Sequence, residues 1–320
     1  MMRRIALLLS LAVGLAGCGQ KQADREEKAV NAILKLGGEV ERDEKLPGRP
    51  VVFVNFIGTR VTDSDLKELK ELKRLQVLLL NDTKITDAGL KDLKELNGLQ
   101  ELYLTKTLIT DAGLKELKEL KSLQELCLLG TQITGAGLKD LKELKALEYL
   151  DLRHTQITDA GLKDLKELKG LRRLDLSHTE ITDTSLKELK ELKRLKVLDL
   201  GANQITDAGL KDLKELKGLQ CLYLGGEITD AGLKDLKEIK GLQELCLDYT
   251  KITDAGLKEL KELKGLQSLF LGGTQITDAG MKDLKELKGL QTLGLTSTKI
   301  TDAGLKELRQ ALPKTEIYGP

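Results

Sequence analysis

A chain of 320 residues with 52 Lys and Arg against 51 Asp and Glu is almost neutral, and its lysines alternate with glutamates instead of gathering in a stripe. That pattern excludes a nucleic-acid-binding surface, which needs clustered positive charge. Hydrophobic residues make up 40% of the chain, yet aromatics only 2% and Trp is absent, so the core must be aliphatic.

In chain order, Arg3 and Arg4 precede an apolar run from Ile5 to Ala16 that is too short to span a bilayer and ends in Leu15-Ala16-Gly17-Cys18. Residues 1–17 therefore read as a secretory signal. Leu-Ala-Gly-Cys resembles the bacterial lipobox, which implies a diacylglyceryl thioether on Cys18, an acylated new N-terminus and a stable membrane anchor in the cell envelope, on the inner or the outer membrane. Residues 18–28 are polar and read as the lipidated cysteine and its tether. Residues 29–50 read as an N-terminal cap: Ala29–Leu36 has apolar residues at helical spacing and ends in Gly37-Gly38, Val40 suits a short strand, and Pro47-Gly48 marks a turn.

Residues 51–312 are dominated by a unit of 24 residues, plainest in LQVLLLNDTKITDAGLKDLKELNG from Leu75, which begins again at Leu99, Leu123, Leu147, Leu171, Leu195, Leu219, Leu242, Leu266 and Leu290 after a degenerate copy at Val51. About eleven such units mean a solenoid in which no single unit buries its own apolar face. In each, LxxLxL alternates as a strand does, and leucines at steps of three follow, as on Leu90, Leu93 and Leu96, covering one stripe of a short helix. Thr86-Asp87 reads as a helix N-cap with its carboxylate at the positive helix end, and the KELKELK runs as a solvated face with i,i+4 ion pairs. The unit from Leu219 is one residue short, near Gly225-Gly226, which should shift or tighten the turn locally. Residues 313–320 contain Ile317 at a strand position and read as a C-terminal cap.

LxxLxLxxT followed by ITDAGLKxLKELK resembles the leucine-rich repeat, specifically the ITDxGL type shared by bacterial repeat proteins and by the repeats attached to eukaryotic F-box proteins. The resemblance implies an α/β fold: a right-handed curved solenoid, a horseshoe with parallel strands on the concave face and short helices on the convex face, that binds other proteins. The ninth position of the unit, Asn or Cys in the family, is mostly Thr here, as at Thr83, Thr107 and Thr131, with Asn203 keeping the commoner residue. A threonine hydroxyl can bond the same turn.

What varies between the copies carries the functional reading. Strand positions three, five, seven and eight point outward. Seven of the eight aromatics map to them or to their continuation in the last half unit: Phe53, Tyr103, Tyr149, Tyr223, Tyr249, Phe270 and Tyr318, whereas Phe56 replaces a core leucine. Cys127, Cys221, Cys246, His154 and His178 fall on the same surface. Aromatics on a rigid concave sheet are what protein-binding hot spots use. Position five places Asp151, Asp175 and Asp199 in a ladder about 4.8 Å apart. Their mutual repulsion should raise a pKa, and Arg153 and Arg173 can relieve it in part. The ladder reads as a contact for a partner's Lys or Arg, as a cation site, or as merely solvated. His154 and His178 lie close enough to share a metal, but no third ligand is evident. Gly225, Gly226, Gly272, Gly273 and Gly294 remove side chains beside Tyr223, Tyr249, Cys246 and Phe270, which makes a groove.

Cys221 and Cys246 fall on neighbouring strands but two residues out of step, roughly 8 Å apart, beyond disulfide reach, so free thiols are expected. No nucleophile is placed with a histidine base and an orienting acid, since neighbours such as Ser177 and His178 point to opposite faces of a strand. The expectation is therefore a non-enzymatic, lipid-anchored module without metal or cofactor that binds an unidentified protein. Its contact residues would be Tyr103, Cys127, Tyr149, Asp151, Arg153, Arg173, Asp175, Asp199, Tyr223, Cys246, Tyr249 and Phe270. The alternatives are a structural spacer of the envelope and, by repeat type only, a substrate adaptor like those of ubiquitin ligases.

Overall fold

The computed structural model describes residues 21–319; the leader and Cys18 lie outside the described residues. Thirteen short strands form one sheet in chain order: β1 (Glu39–Arg42), β2 (Val51–Asn55), β3 (Val77–Leu79), β4 (Glu101–Tyr103), β5 (Glu125–Cys127), β6 (Tyr149–Asp151), β7 (Arg173–Asp175), β8 (Val197–Asp199), β9 (Cys221–Tyr223), β10 (Glu244–Cys246), β11 (Ser268–Phe270), β12 (Thr292–Gly294) and β13 (Glu316–Tyr318). β1 runs antiparallel to β2, and the other neighbours are parallel. The solenoid carries its strands on the concave face and its short helices on the convex one. The leucines at positions one, four and six are buried in every full unit, so one continuous aliphatic core runs the length of the sheet. Phe56 joins it at 1% exposure.

The helical half is tighter than an ordinary helix. One α turn, such as Asp87–Leu90, passes into 3₁₀ turns, such as Lys91–Leu93. A 3₁₀ helix has three residues per turn, so leucines at every third position line a single inward edge. The same geometry changes the charge pattern expected from the sequence. Residues four apart no longer share a face, and the lysines reach the glutamates of the next unit: Lys73 to Glu95 at 3.2 Å, Lys145 to Glu167 at 3.6 Å, Lys169 to Glu191 at 3.2 Å. These pairs are about half exposed, so each contributes little.

The ITD motif stitches units together. Thr86 caps its own helix by accepting the Ala88 N–H, but the Asp87 carboxylate turns to the next unit, accepting the Thr110 N–H at 2.8 Å and its hydroxyl at 2.7 Å. The bond recurs from Asp63 to Asp278. Glycine at the third place of the following DAG leaves room for it, since a Cβ on Gly113 would lie 2.5 Å from Asp87 Oδ1, whereas Ser185 holds that place opposite Asp159 and the bond is kept. The ladder breaks once, at Gly135, so Thr158 has no aspartate partner and caps nothing. There the backbones close up: a Cβ on Gly161 would lie 2.3 Å from Gly135 Cα.

Position nine behaves as expected. Thr83, Thr107 and Thr131 each donate a hydroxyl to the carbonyl three residues back, at 2.6, 2.7 and 2.7 Å. Asn203 bridges two units, donating to Leu176 O and accepting from Thr179 N. The short unit at Leu219 lacks this very position, since Gly226 is followed directly by Glu227.

Both ends are covered. A helix over residues 21–35 packs Ala29, Val30 and Ile33 against the first unit. Its described part takes in residues 21–28 of the segment expected as a tether, and these have docking partners: Glu26 and Glu27 receive Arg42 at 2.9 and 2.7 Å, and Gln22 donates to Glu71 O at 2.8 Å. At the other end Ile317 is buried on β13, which closes the sheet beneath the helix Asp302–Ala311.

Candidate functional site

In-register pairing sets the face that the variable residues share. Along position five the sheet reads Asp151, Asp175, Asp199, Tyr223, Cys246, Phe270, Gly294 and Tyr318, each directly beside the next. The three aspartates are neighbours, as the repeat spacing requires. Their exposure differs from the expectation. Asp151 is 0% exposed and Asp175 3%, although both stand on the outer side of the sheet. Tyr149 and Arg153, at positions three and seven of the same unit, bond to Asp151, and Arg153 reaches on to Asp175 in the next.

This central cluster is internally paired. Arg153 gives Asp151 two guanidinium bonds, at 3.1 and 2.8 Å, and approaches Asp175 Oδ2 at 3.3 Å. Tyr149 and Cys127 also donate to Asp151 Oδ2, at 3.3 and 3.2 Å. Burial alone would push the Asp151 carboxyl up, but the bonds from Arg153 hold it below the usual range. Asp175 has only Ser177 and the far side of Arg153. Burial, followed by the charge of Asp199, pushes it up to about 6. The repulsion expected from the ladder therefore falls on its middle member. Arg173 makes no ion pair with these aspartates and lies over the Tyr149 ring, 5.0 Å from its centroid.

Several expected contact residues are thus committed to each other. Cys127 is 7% exposed and, with Asp151 and Asp175, is closed to a partner. Tyr103 donates to Glu125 at 2.7 Å and Tyr223 to Glu244 at 2.7 Å, each an acid at position three of the next strand. Burial raises the Cys127 thiol to about 11 and the Cys246 thiol to about 12, so both stay protonated at neutral pH. Cys221 sits beside Glu244 and Cys246 beside Tyr223, the offset expected, and all three thiols are free.

The face opens beyond Asp199. Tyr223, Gly225, Cys246, Asp248 and Tyr249 border a hollow of about 510 Å³. Asp248 and Tyr249 also border a second, of about 200 Å³, with Phe270, Gly272, Gly294 and Tyr318. The glycines make the room, as the sequence suggested. A Cβ on Gly294 would meet the Phe270 ring at 2.8 Å, and one on Gly273 the Tyr249 ring at 2.5 Å. Asp248, which repeat reasoning passed over, stands between the two hollows. Its signal was an acid at position seven in a stretch where Gly201, Gly225 and Gly272 hold that place. One oxygen accepts Gly272 N–H at 2.6 Å, as Asp199 accepts Gly201 N–H at 2.8 Å. Burial raises Asp199 above the usual carboxyl range.

Position eight was expected only to point outward, and it also turns the chain. In all eleven units, from Gly58 (φ 65°) to Ser297 (φ 58°), it has left-handed backbone. Glycine holds that conformation freely and other residues at a cost. Glycine occupies it at 58, 130, 226 and 273, and Tyr249 at φ 57°, with 77% of its surface exposed. His154 and His178 occupy it too. Their rings stack at 4.2 Å, 15° from parallel. Among the described residues no three His, Cys, Asp or Glu side chains are grouped to hold a metal ion.

The profile of a family described as "Leucine-rich repeat region" matches residues 135–316. No curated protein matches the chain. Of solved structures, an internalin (inlF) from Listeria monocytogenes is similar at 23% identity with a TM-score of 0.60, covering 86% of this chain and 91% of that one. A leucine-rich repeat protein of Leptospira interrogans is similar at 28% identity with a TM-score of 0.56, covering 78% and 74%. The first likeness concerns the fold.

Proposed function

We propose that this chain, which belongs to the leucine-rich repeat family, is a lipid-anchored component of a bacterial envelope that holds a protein partner against the C-terminal half of its concave face. The repeat fold commonly serves protein–protein binding, and the contact region is read from this chain's own side chains. The observation that carries the reading is Tyr249: a large ring, 77% exposed, kept on a left-handed residue where four other units use glycine. A strained backbone carrying an exposed aromatic is costly for folding alone, and it stands over a glycine-lined groove beside Phe270. Anchoring is supported by the apolar leader and Leu15-Ala16-Gly17-Cys18.

The test is recovery of partners from native membranes in mild detergent with the full chain, comparing wild type with Tyr249→Gly and Phe270→Ser variants whose melting is retained. Loss of a specific protein in both variants supports the site. Equal recovery overturns it, and no specific partner with wild type favours the spacer role. Labelled palmitate should enter the wild type and not Cys18→Ala; labelling that survives the substitution removes the anchor.

A further inference from the structure

The groove differs from the rest of the concave face in its charge balance. Asp151 and Asp175 share Arg153, whereas Asp199 and Asp248 make no ion pair among the described residues. The two hollows that those acids border are lined by no Lys or Arg, with His178 as the basic side chain at the edge of the larger one, and their walls are the rings of Tyr223, Tyr249, Phe270 and Tyr318. Each acid spends one oxygen on a backbone N–H, which fixes its direction. A negative, aromatic-walled trough matches one kind of occupant. An ammonium or guanidinium head pairs with the carboxylate while its aliphatic stem, or a neighbouring apolar residue, lies against the rings.

Position sets the spacing. Asp199 ends β8, and Asp248 lies two strands over and two residues further along, next to β10. At about 4.8 Å per strand and about 3.3 Å per residue their Cα atoms are about 12 Å apart. An extended peptide covers that in roughly three to four residues. Resting on the binding role assigned above, we propose that the groove takes an extended, positively charged segment of the partner. Two Lys or Arg side chains three or four residues apart reach Asp199 and Asp248, and an apolar residue between or beyond them sits against Tyr249 and Phe270.

The test uses a random dodecapeptide library displayed on phage, selected against the full chain, and labelled synthetic copies of the selected peptides for anisotropy. The expected consensus has two basic residues at that spacing with an apolar residue nearby, and affinity that falls as salt rises. Asp199→Asn and Asp248→Asn keep the acceptor for the backbone N–H, so the fold should hold, and each should weaken binding about tenfold. Peptides that lack basic residues, or that bind Asp199→Asn and Asp248→Asn as tightly as wild type, overturn the proposal. If those peptides still lose binding to Tyr249→Gly, the binding face stands and only its charge preference fails. Selected peptides that ignore Tyr249→Gly as well remove both.

Discussion

Two adjoining stretches of one sheet, made from the same repeat positions, have opposite characters. Around Asp151 and Asp175 the outward side chains satisfy one another under Arg153, and the carboxylates are almost completely covered. From Asp199 to Tyr318 glycines replace the covering side chains, Asp199 and Asp248 make no close ion pair among the described residues, and rings face a trough. Repeat position therefore sets the direction of a side chain and its neighbours set its exposure. A closed cluster contributes rigidity, and an open one leaves interaction energy for a partner. Substitutions that open the first or relax the second separate these roles.

The largest effect belongs to Arg153→Ala. It strands two buried carboxylates whose shared cation is gone, a loss of about 3–5 kcal/mol at neutral pH. Urea denaturation should show it, and the deficit should shrink in acid as the carboxylates take up protons. A small loss at pH 7 would mean that the cluster is solvated and open. Asp175→Asn is expected to act in the opposite direction. An acid whose folded pKa, about 6, stands above its unfolded value near 3.8 opposes folding in its charged form. The cost is absent below about pH 4, grows as pH rises through 6 and is complete above it. Removing that charge should therefore stabilise the protein at pH 7.5 by roughly 2–3 kcal/mol and by nothing at pH 3.5. Thermal melts at the two pH values check it, and a gain independent of pH would reject the titration of Asp175 as its source.

The same contrast explains what could be seen in advance. Leu75, Leu78 and Leu80 recur at a fixed period, and a stacked solenoid is the arrangement that buries such a face, so sheet order and core were legible. So were the alignment of Asp151, Asp175 and Asp199 and the glycine groove, because register follows from the period. Exposure was not, because Asp151 is covered by Tyr149 and Arg153 of its own unit and by Cys127 of the unit before, and the reach of such side chains depends on curvature and rotamer. The left-handed turn at position eight left a trace in Gly58, Gly130, Gly226 and Gly273, obscured by His154, His178 and Tyr249 in the same place. Asp248 stood in an intact column, between Gly225 and Gly272 at position seven, but an acid at an outward strand position is by itself an ordinary solvated residue. The lysine–glutamate pairs were misplaced because a leucine every third residue permits an α or a 3₁₀ helix, and only the second turns residues four apart away from each other.

The smallest effect compares two residues that share a backbone conformation. Lys106 (φ 52°) and Tyr249 (φ 57°) are both left-handed, but Lys106 lies in the N-terminal half and Tyr249 at the groove. Glycine relieves the strain at either place and loses more entropy from the unfolded chain, for a net gain of about 0.5–1 kcal/mol. Lys106→Gly and Tyr249→Gly should therefore raise the melting temperature by similar amounts, the second slightly less because the Tyr249 ring gives up its contact with Gly273. Binding should part them. The Lys106 variant keeps the partner, and the Tyr249 variant, although more stable, releases it. A protein that gains stability and loses its ligand through one substitution has held strain for recognition. If both variants bind alike, the tyrosine is only a tolerated neighbour of glycine in a repeating turn.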